Sequence, residues 1–331
     1  MIKIVTDIDK FQWQQLINQS QKASYFQTPE CYEFYNSLTF LESFIVGVEE
    51  NSELKGIICG YIVANGKFIT RYFSRRAIIH GGPLLANNIS TQALALLLQE
   101  TRNRLEKKAI YIETRNSHNY SMYLETFENN DYKYQPYLNY MVETSHSLNK
   151  IQTKLSESKR RQIKKANDAG IKIIETKEQK DVDEFYAILS KLYKHKVKKP
   201  LFPKEFFEKL ITLPHAHLFV AKYQEQVISG MACVSFNKEA VYEWFVCGNK
   251  ETFNHIYPSV AVTYAAIEYA SKNGYKKFDF MGAGKPNENY GVRDFKEKFG
   301  GDLVEYGRFI CVNNHFLYDI GKTVINAIRR F

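Results

Sequence analysis

Cysteine is scarce: five residues in 331, Cys31, Cys59, Cys233, Cys247 and Cys311, with no C-x-x-C among them. That excludes a zinc ribbon and a disulfide framework and predicts reduced, mostly buried thiols. Long apolar runs are missing too; none reaches the roughly 18 residues a spanning helix needs. The opening MIKIVTDIDKFQWQQ lacks the apolar core of a signal peptide. A cytoplasmic protein is expected, one that touches a membrane from the inner face at most. Standard catalytic motifs are absent: no G-x-S-x-G, no H-E-x-x-H and no kinase set. MGAGKPNENYG carries a Gly-Lys, but Pro286 stands where a P-loop has Ser or Thr. A plain turn is the first reading there and a phosphate cradle the lesser one. His215 and His217 form an H-x-H without a nearby third ligand, so strand packing outweighs metal binding. No metal and no cofactor are expected.

What is present is a globular composition, 44% hydrophobic and 24% charged, with 23 Tyr and 23 Phe. The net charge of +9 is unevenly spread. Residues 150–200 hold 15 Lys and Arg against 7 Asp and Glu, an excess that nearly equals the total. Within it, SESKRRQIKKANDAG has a helical pattern that places Lys159, Arg160, Arg161, Lys164 and Lys165 on adjoining faces. A polyanion-binding face and an ordinary solvated helix are both compatible with that pattern.

The order of elements repeats. Each half reads as strand, two helices, three apolar stretches, long helix, strand, helix, strand. In the first half, Thr28-Pro29 and Ser90 mark helix starts. The apolar stretches are 41–49, 54–64 and 67–73, with a hairpin signal at Asn65-Gly66. A last strand is expected at about 132–143. The second half begins with IKIIET (171–176), has helices near 179–194, 203–212 and 289–298, and ends in DLVEYGRFICV. This predicts an α/β protein of two tandem domains with mixed sheets, 1–148 and 149–312. A helix at 313–331 is expected to pack on the first domain. The order is that of acyltransferase domains of the GNAT type. Both halves lack the R/Q-x-x-G-x-G/A loop with which those enzymes hold a coenzyme A pyrophosphate, which disfavours an acyl-thioester donor.

FDFMGAG followed by GVRDFKEKFGGDLVEYGRF resembles the closing segment of the Fem family, aminoacyltransferases that move an amino acid from aminoacyl-tRNA to a peptidoglycan precursor. FQTPECYEFY, IIHGGPLL and SKRRQIKKANDAGIKI resemble the same family, in the same order. The resemblance implies two GNAT-like domains of the compact kind, an aminoacyl-tRNA donor and a diphosphate-bearing cell-envelope precursor as acceptor. Nothing in the pattern points to DNA.

By the same resemblance, Phe295 and Lys296 match the family's Phe-Lys, and Lys296 would stabilise the charge that develops on the ester carbonyl. It would face the cleft mouth, so that replacing it leaves the fold intact. Tyr242, Trp244 and Phe245 precede the turn Cys247-Gly248-Asn249 and either line the acceptor pocket or fill the core. Tyr32 and Asn36 stand where the family has Trp and a diphosphate-binding Lys. Lys196, Lys198 and Lys199 stand where it has an Arg, and Lys holds phosphate only as a point charge. No general base stands out. At the end of the chain, Leu317, Ile320, Val324, Ile328 and Phe331 form an apolar stripe, with Lys322, Arg329 and Arg330 elsewhere. That helix either packs on the first domain or makes a peripheral contact with anionic lipid. An N-acyltransferase acting on a nucleotide sugar or envelope polysaccharide, and a non-catalytic RNA- or anion-binding protein, are the alternatives.

Overall fold

The computed structural model describes residues 1–66 and 69–330, and the side chains of all of these except 69, 70, 250 and 324–330. The chain forms two compact units, 1–137 with 305–331, and 138–304. Each holds a mixed sheet, as the repeated element order predicts.

In the first unit the strands are β1 (Ile2–Val5), β2 (Glu42–Glu50), β3 (Glu53–Val63), β4 (Arg76–Gly81), β5 (Leu84–Leu85), β6 (Tyr111–Asn116) and β7 (Tyr132–Gln135). The second has β8 (Leu138–Glu143), β9 (Lys172–Thr176), β10 (Ala216–Tyr223), β11 (Gln226–Phe236), β12 (Ala240–Gly248), β13 (Lys277–Asp279) and β14 (Asp302–Glu305). The final strand, β15 (Arg308–Val312), returns to the first unit. The first sheet runs β1-β2-β3-β4-β6-β15-β7, with β5 beside β3; the second runs β14-β8-β13-β12-β11-β10-β9.

The predicted boundary at 148/149 is therefore too late, and the predicted end of the second domain at 312 is also too late. The single strand expected at 132–143 is two strands in different sheets, and so is DLVEYGRFICV. Pro136 has no N–H to continue a ladder, so β7 stops before it. Gly307 has φ +63°, which breaks β14 from β15. Each break lets the chain change sheets. The exchange is reciprocal: β15 lies between β6 and β7, while β8 lies between β13 and β14.

Local chemistry accounts for most boundaries. Thr28 Oγ1 accepts from Cys31 N at 3.1 Å and Ser90 Oγ from Ala93 N at 3.1 Å, capping the helices Pro29–Ser37 and Thr91–Leu105. The hairpin expected at Asn65-Gly66 has a longer connection. β3 pairs with β4, and the stretch expected as a strand at 67–73 contains the helical turn Ile69–Tyr72. Residues 67 and 68 of that stretch lie outside the described residues. In the first core, Leu94, Leu97 and Leu98 pack on Val46, Val48, Ile79 and Ile112. In the second, Val260, Ala266 and Ile267 of the helix Pro258–Lys272 pack on Met231, Val241 and Phe278. Burying each such large side chain stabilises by about 1.5–3 kcal/mol. All five cysteines are buried free thiols.

Candidate active site

The second unit's sheet opens where two parallel strands part. β12 and β13 pair at Ala240/Lys277, Val241/Phe278 and Tyr242/Asp279, and β13 then ends while β12 continues to Gly248. Just past the last pair, β12 carries a bulge. Cys233 lies opposite Glu243 but its neighbour Ala232 lies opposite Phe245, which makes Trp244 the extra residue. The bulge resets the alternation, so that Val241 and Val246, an odd step apart, face the same core. Ligands of open α/β sheets gather outside such carboxyl-terminal strand ends.

Lys296 spans this fork. It lies on the helix Gly291–Glu297, and its ammonium donates to the carbonyls of Phe280 at 2.6 Å and Gly282 at 2.9 Å. The third contact is Glu243 Oε1 at 2.9 Å. An ammonium has three N–H groups, and all three are engaged. Lys296 is 6% exposed and Glu243 5%. The expectation that Lys296 faces the cleft mouth therefore needs correction: the ammonium turns inward, because the loop past β13 presents carbonyls and β12 presents a carboxylate. Burial pushes the Glu243 carboxyl up; Lys296 pulls it down without cancelling that, and Asp279 adds to the rise. Burial likewise raises Asp279, against partial offset from Asn139 and the Met281 N–H.

Three backbone donors of the turn after β13 are already engaged within the fold. Met281 N donates to Asp279 Oδ1 at 2.7 Å, Gly282 N to Asn139 Oδ1 at 2.7 Å, and Ala283 N to the Leu138 carbonyl at 2.6 Å. That leaves a phosphate cradle at MGAG little to donate with, and the plain turn is the reading the structure favours. The glycines of F-G-G are structural: a Cβ on Gly300, whose φ is +79°, would lie 2.4 Å from the Lys154 carbonyl oxygen.

The other predicted residues are dispersed. Phe295 is half-buried against the core beside Lys296, its ring 5.2 Å from that of Phe299. Tyr242 is fully buried, and burial raises its hydroxyl pKa. Trp244 and Phe245 both contact Phe206, in an aromatic cluster under the helix Lys204–Leu210. Asn249 caps the helical turn Lys250–Phe253 and lines a cavity of about 210 Å³ with Lys191, His195 and Lys196. Lys198 and Lys199 are exposed just beyond, Lys198 with φ +50°. Tyr32 and Asn36 lie on the first unit's helix Pro29–Ser37. Tyr32 rests 6.0 Å from Trp13, and Asn36 Oδ1 accepts from Ser43 Oγ at 2.9 Å.

Lys159 does not belong to a solvated basic face. It is 4% exposed, with its Nζ 3.9 Å and 5.0 Å from the ring centroids of Phe295 and Phe299. Arg160 donates to the Leu155 carbonyl at 2.7 Å and so closes the end of the preceding helix. Arg161, Lys164 and Lys165 remain exposed on the helix Glu157–Asp168.

His217 is held by Glu175 at 2.7 Å and Ser235 at 3.0 Å, in keeping with strand packing. Among the described residues no cluster of His, Cys, Asp or Glu could hold a metal ion, and no helix is long and apolar enough to cross a membrane. Of the terminal stripe, Leu317 is buried and Ile320 exposed, and Lys322 lies over the Tyr318 ring. The side chains of Val324, Ile328, Arg329, Arg330 and Phe331 lie outside the described residues.

The corresponding place in the first unit is closed. β4 and β6, also parallel, pair all the way from Arg76/Tyr111 to Gly81/Asn116. Tyr120 Oη donates to the Gly81 and Pro83 carbonyls at 3.1 and 2.7 Å, and Gln27 Nε2 donates to Gly82 O at 2.8 Å. A Cβ on Gly82 would meet Tyr120 at 2.8 Å. The motifs FQTPECYEFY and IIHGGPLL thus build a packed corner. Glu243 and Asp279 are the site residues that sequence reasoning passed over. Their signal was a lone carboxylate inside each of two apolar strands.

Residues 153–297 match the family model described as acetyltransferase (GNAT) domain. No curated protein sequence matches the chain. A crystal structure of FemX superposes with a TM-score of 0.71 at 15% identity, covering 96% of this chain and 99% of that one. L-PGS from Bacillus licheniformis gives 0.58 at 12% over 93% and 92%, and a tandem GNAT protein from the clavulanic acid biosynthesis pathway gives 0.57 at 9% over 95% and 99%. At these identities the likeness is one of fold, a tandem GNAT architecture along nearly the whole length.

Proposed function

We propose, from the premise that the chain is a GNAT-type acyltransferase, that it moves an aminoacyl group from aminoacyl-tRNA to an amine of a diphosphate-bearing cell-envelope precursor. The observation that carries this reading is the Lys296 ammonium fixed at the β12/β13 fork by Glu243 and two backbone carbonyls. An ester carbonyl laid along the free edge of β12 would develop its oxyanion beside a fixed positive charge in a water-poor setting, where such charge contributes several kcal/mol. The F-K-x-x-F-G-G resemblance supplies the substrate class, and the similarity to FemX is consistent with it. A thioester donor is disfavoured because Asn249–Tyr257 folds as short helical turns, with no glycine-rich nest for a pyrophosphate. Lys191, His195 and Lys196 around the 210 Å³ cavity, with Lys198 and Lys199 beside it, are the groups suited to an acceptor diphosphate. The test is transfer from charged tRNA to a nucleotide-linked peptidoglycan precursor, followed by mass spectrometry. Absence of the amide product with every amino acid would overturn the reading.

Arg161, Lys164 and Lys165 are suited to the tRNA backbone. Reversing these three to Glu is expected to weaken tRNA binding and flatten its log–log salt dependence by roughly one unit for each phosphate no longer neutralised. Stability should shift by about 1 kcal/mol or less per residue, since the side chains are exposed. An unchanged salt slope would make the helix a solvated face only.

A further inference from the structure

We propose that the terminal helix, His315–Arg330, docks by its apolar face on a membrane surface rich in anionic lipid. This goes beyond the transfer reaction and does not depend on it. A helix that packs on its own domain ordinarily turns its apolar stripe inward. Here the orientation is reversed. His315, Tyr318, Asp319 and Lys322 line a cavity of about 300 Å³ together with Lys133 and Gln135 of β7. The Tyr318 ring lies 5.1 Å from that of Tyr111 on β6. The polar side of the helix thus faces the sheet, across a cavity lined by charged side chains.

Phe316 and Ile320 point elsewhere. At 100° per residue they lie roughly 130° round the helix from the centre of that polar group. Phe316 is 74% exposed and Ile320 40%, while Leu317, at the margin of the stripe, is buried. In the sequence the same spacing continues the apolar row through Val324, Ile328 and Phe331.

Charge and size together say what covers this face. Residues 320–331 include Lys322, Arg329 and Arg330 and no acid, and the whole chain carries +9. Such charge draws the helix toward anionic headgroups and keeps two copies of the chain apart. The helix has 16 residues. At about 24 Å long and 10–12 Å wide, it offers roughly 250 Å² on one face. A stable protein interface takes about 800 Å² from each partner. A bilayer sets no such minimum. Phe and Ile enter the boundary between headgroups and acyl chains, Lys and Arg stay with the phosphates, and affinity grows with apolar area and charge together. The helix would lie in the plane of the surface.

The experiment floats the full chain with two kinds of vesicle, at low and at high salt. One is phosphatidylcholine alone; the other is phosphatidylcholine mixed with phosphatidylglycerol. The wild type should float with the mixed vesicles, less so at high salt, and hardly at all with phosphatidylcholine. The double variant Phe316→Ser, Ile320→Ser should weaken partitioning about tenfold or more, with an unchanged circular dichroism spectrum because both side chains are exposed. A wild type that binds neither vesicle overturns the proposal. So does a double variant that binds as well as wild type, which would assign the attraction to exposed cations such as Arg161, Lys164 and Lys165. A concentration-dependent dimer that the double variant abolishes would make a second copy the occupant, and overturns it too. Should the double variant fail to fold, Phe316→Trp decides. A blue shift of the added indole emission on mixing with phosphatidylglycerol vesicles supports the proposal, and no shift overturns it.

Discussion

Lys296→Met is expected to unfold the second unit about 3–5 kcal/mol more easily than wild type, and to lower transfer by about 10²–10³. The first effect follows from what remains: a buried Glu243 with no cation, and the Phe280 and Gly282 carbonyls without their donor. The view that this change spares the fold belonged to a Lys296 at the cleft mouth, and the structure buries its ammonium instead. The deficit should depend on pH. A buried, unpaired Glu243 binds a proton more readily folded than unfolded, so the variant is most stable below the ordinary carboxylate pKa and loses stability as pH rises through the folded value. Urea titrations across that range would show it. Lys296→Met combined with Glu243→Leu should regain most of the stability and none of the transfer. Lys298→Met, at an exposed neighbour, should do neither. A single variant as stable as wild type at neutral pH would refute the buried-pair account.

Glu113→Gln should be nearly as costly in the first unit. Glu113 Oε1 receives Arg115 Nε at 3.0 Å and Arg308 Nη1 at 2.5 Å. Burial alone would raise its pKa, but the two guanidinium groups outweigh burial and hold it at about 2. Against an unfolded value near 4.5, that difference is worth about 3 kcal/mol. Because the folded pKa is depressed, this stability is present above the unfolded value and is lost as pH falls through about 2. Glu113→Gln should remove it at neutral pH and flatten the acid limb of a urea-midpoint titration. A midpoint at pH 7 equal to wild type would mean that the pair contributes nothing net.

Elements marked by short-range chemistry were legible in the sequence. Thr28-Pro29, Ser90 and the alternating apolar residues of β10 to β12 state their structure within a few residues. The doubled architecture followed from their order. The strand exchange was less legible, because it depends on partners far along the chain, although Pro136 and Gly307 did mark both breaks. At the candidate site, the Phe295-Lys296 pattern pointed to a residue that lies at the β12/β13 fork and not to its surroundings. A helix wheel cannot reveal that a Lys will meet a carboxylate on a strand 53 positions earlier, from Glu243 to Lys296. Lys159 shows the same limit: among five clustered cations, only packing against Phe295 and Phe299 decides which one leaves solvent.

The late return of β15 imposes an order on synthesis. Arg308 and Glu113 are bonded partners 195 residues apart. As the chain emerges from the ribosome, β6 and β7 must wait with facing edges unmatched while the whole second unit is translated. Unmatched edges invite pairing with other chains, and distant pairings close slowly. The first unit thus completes its sheet only after the second unit has been made, although its sequence is read first. A nascent chain stalled anywhere before β15 would expose that gap to the cell's chaperones and proteases.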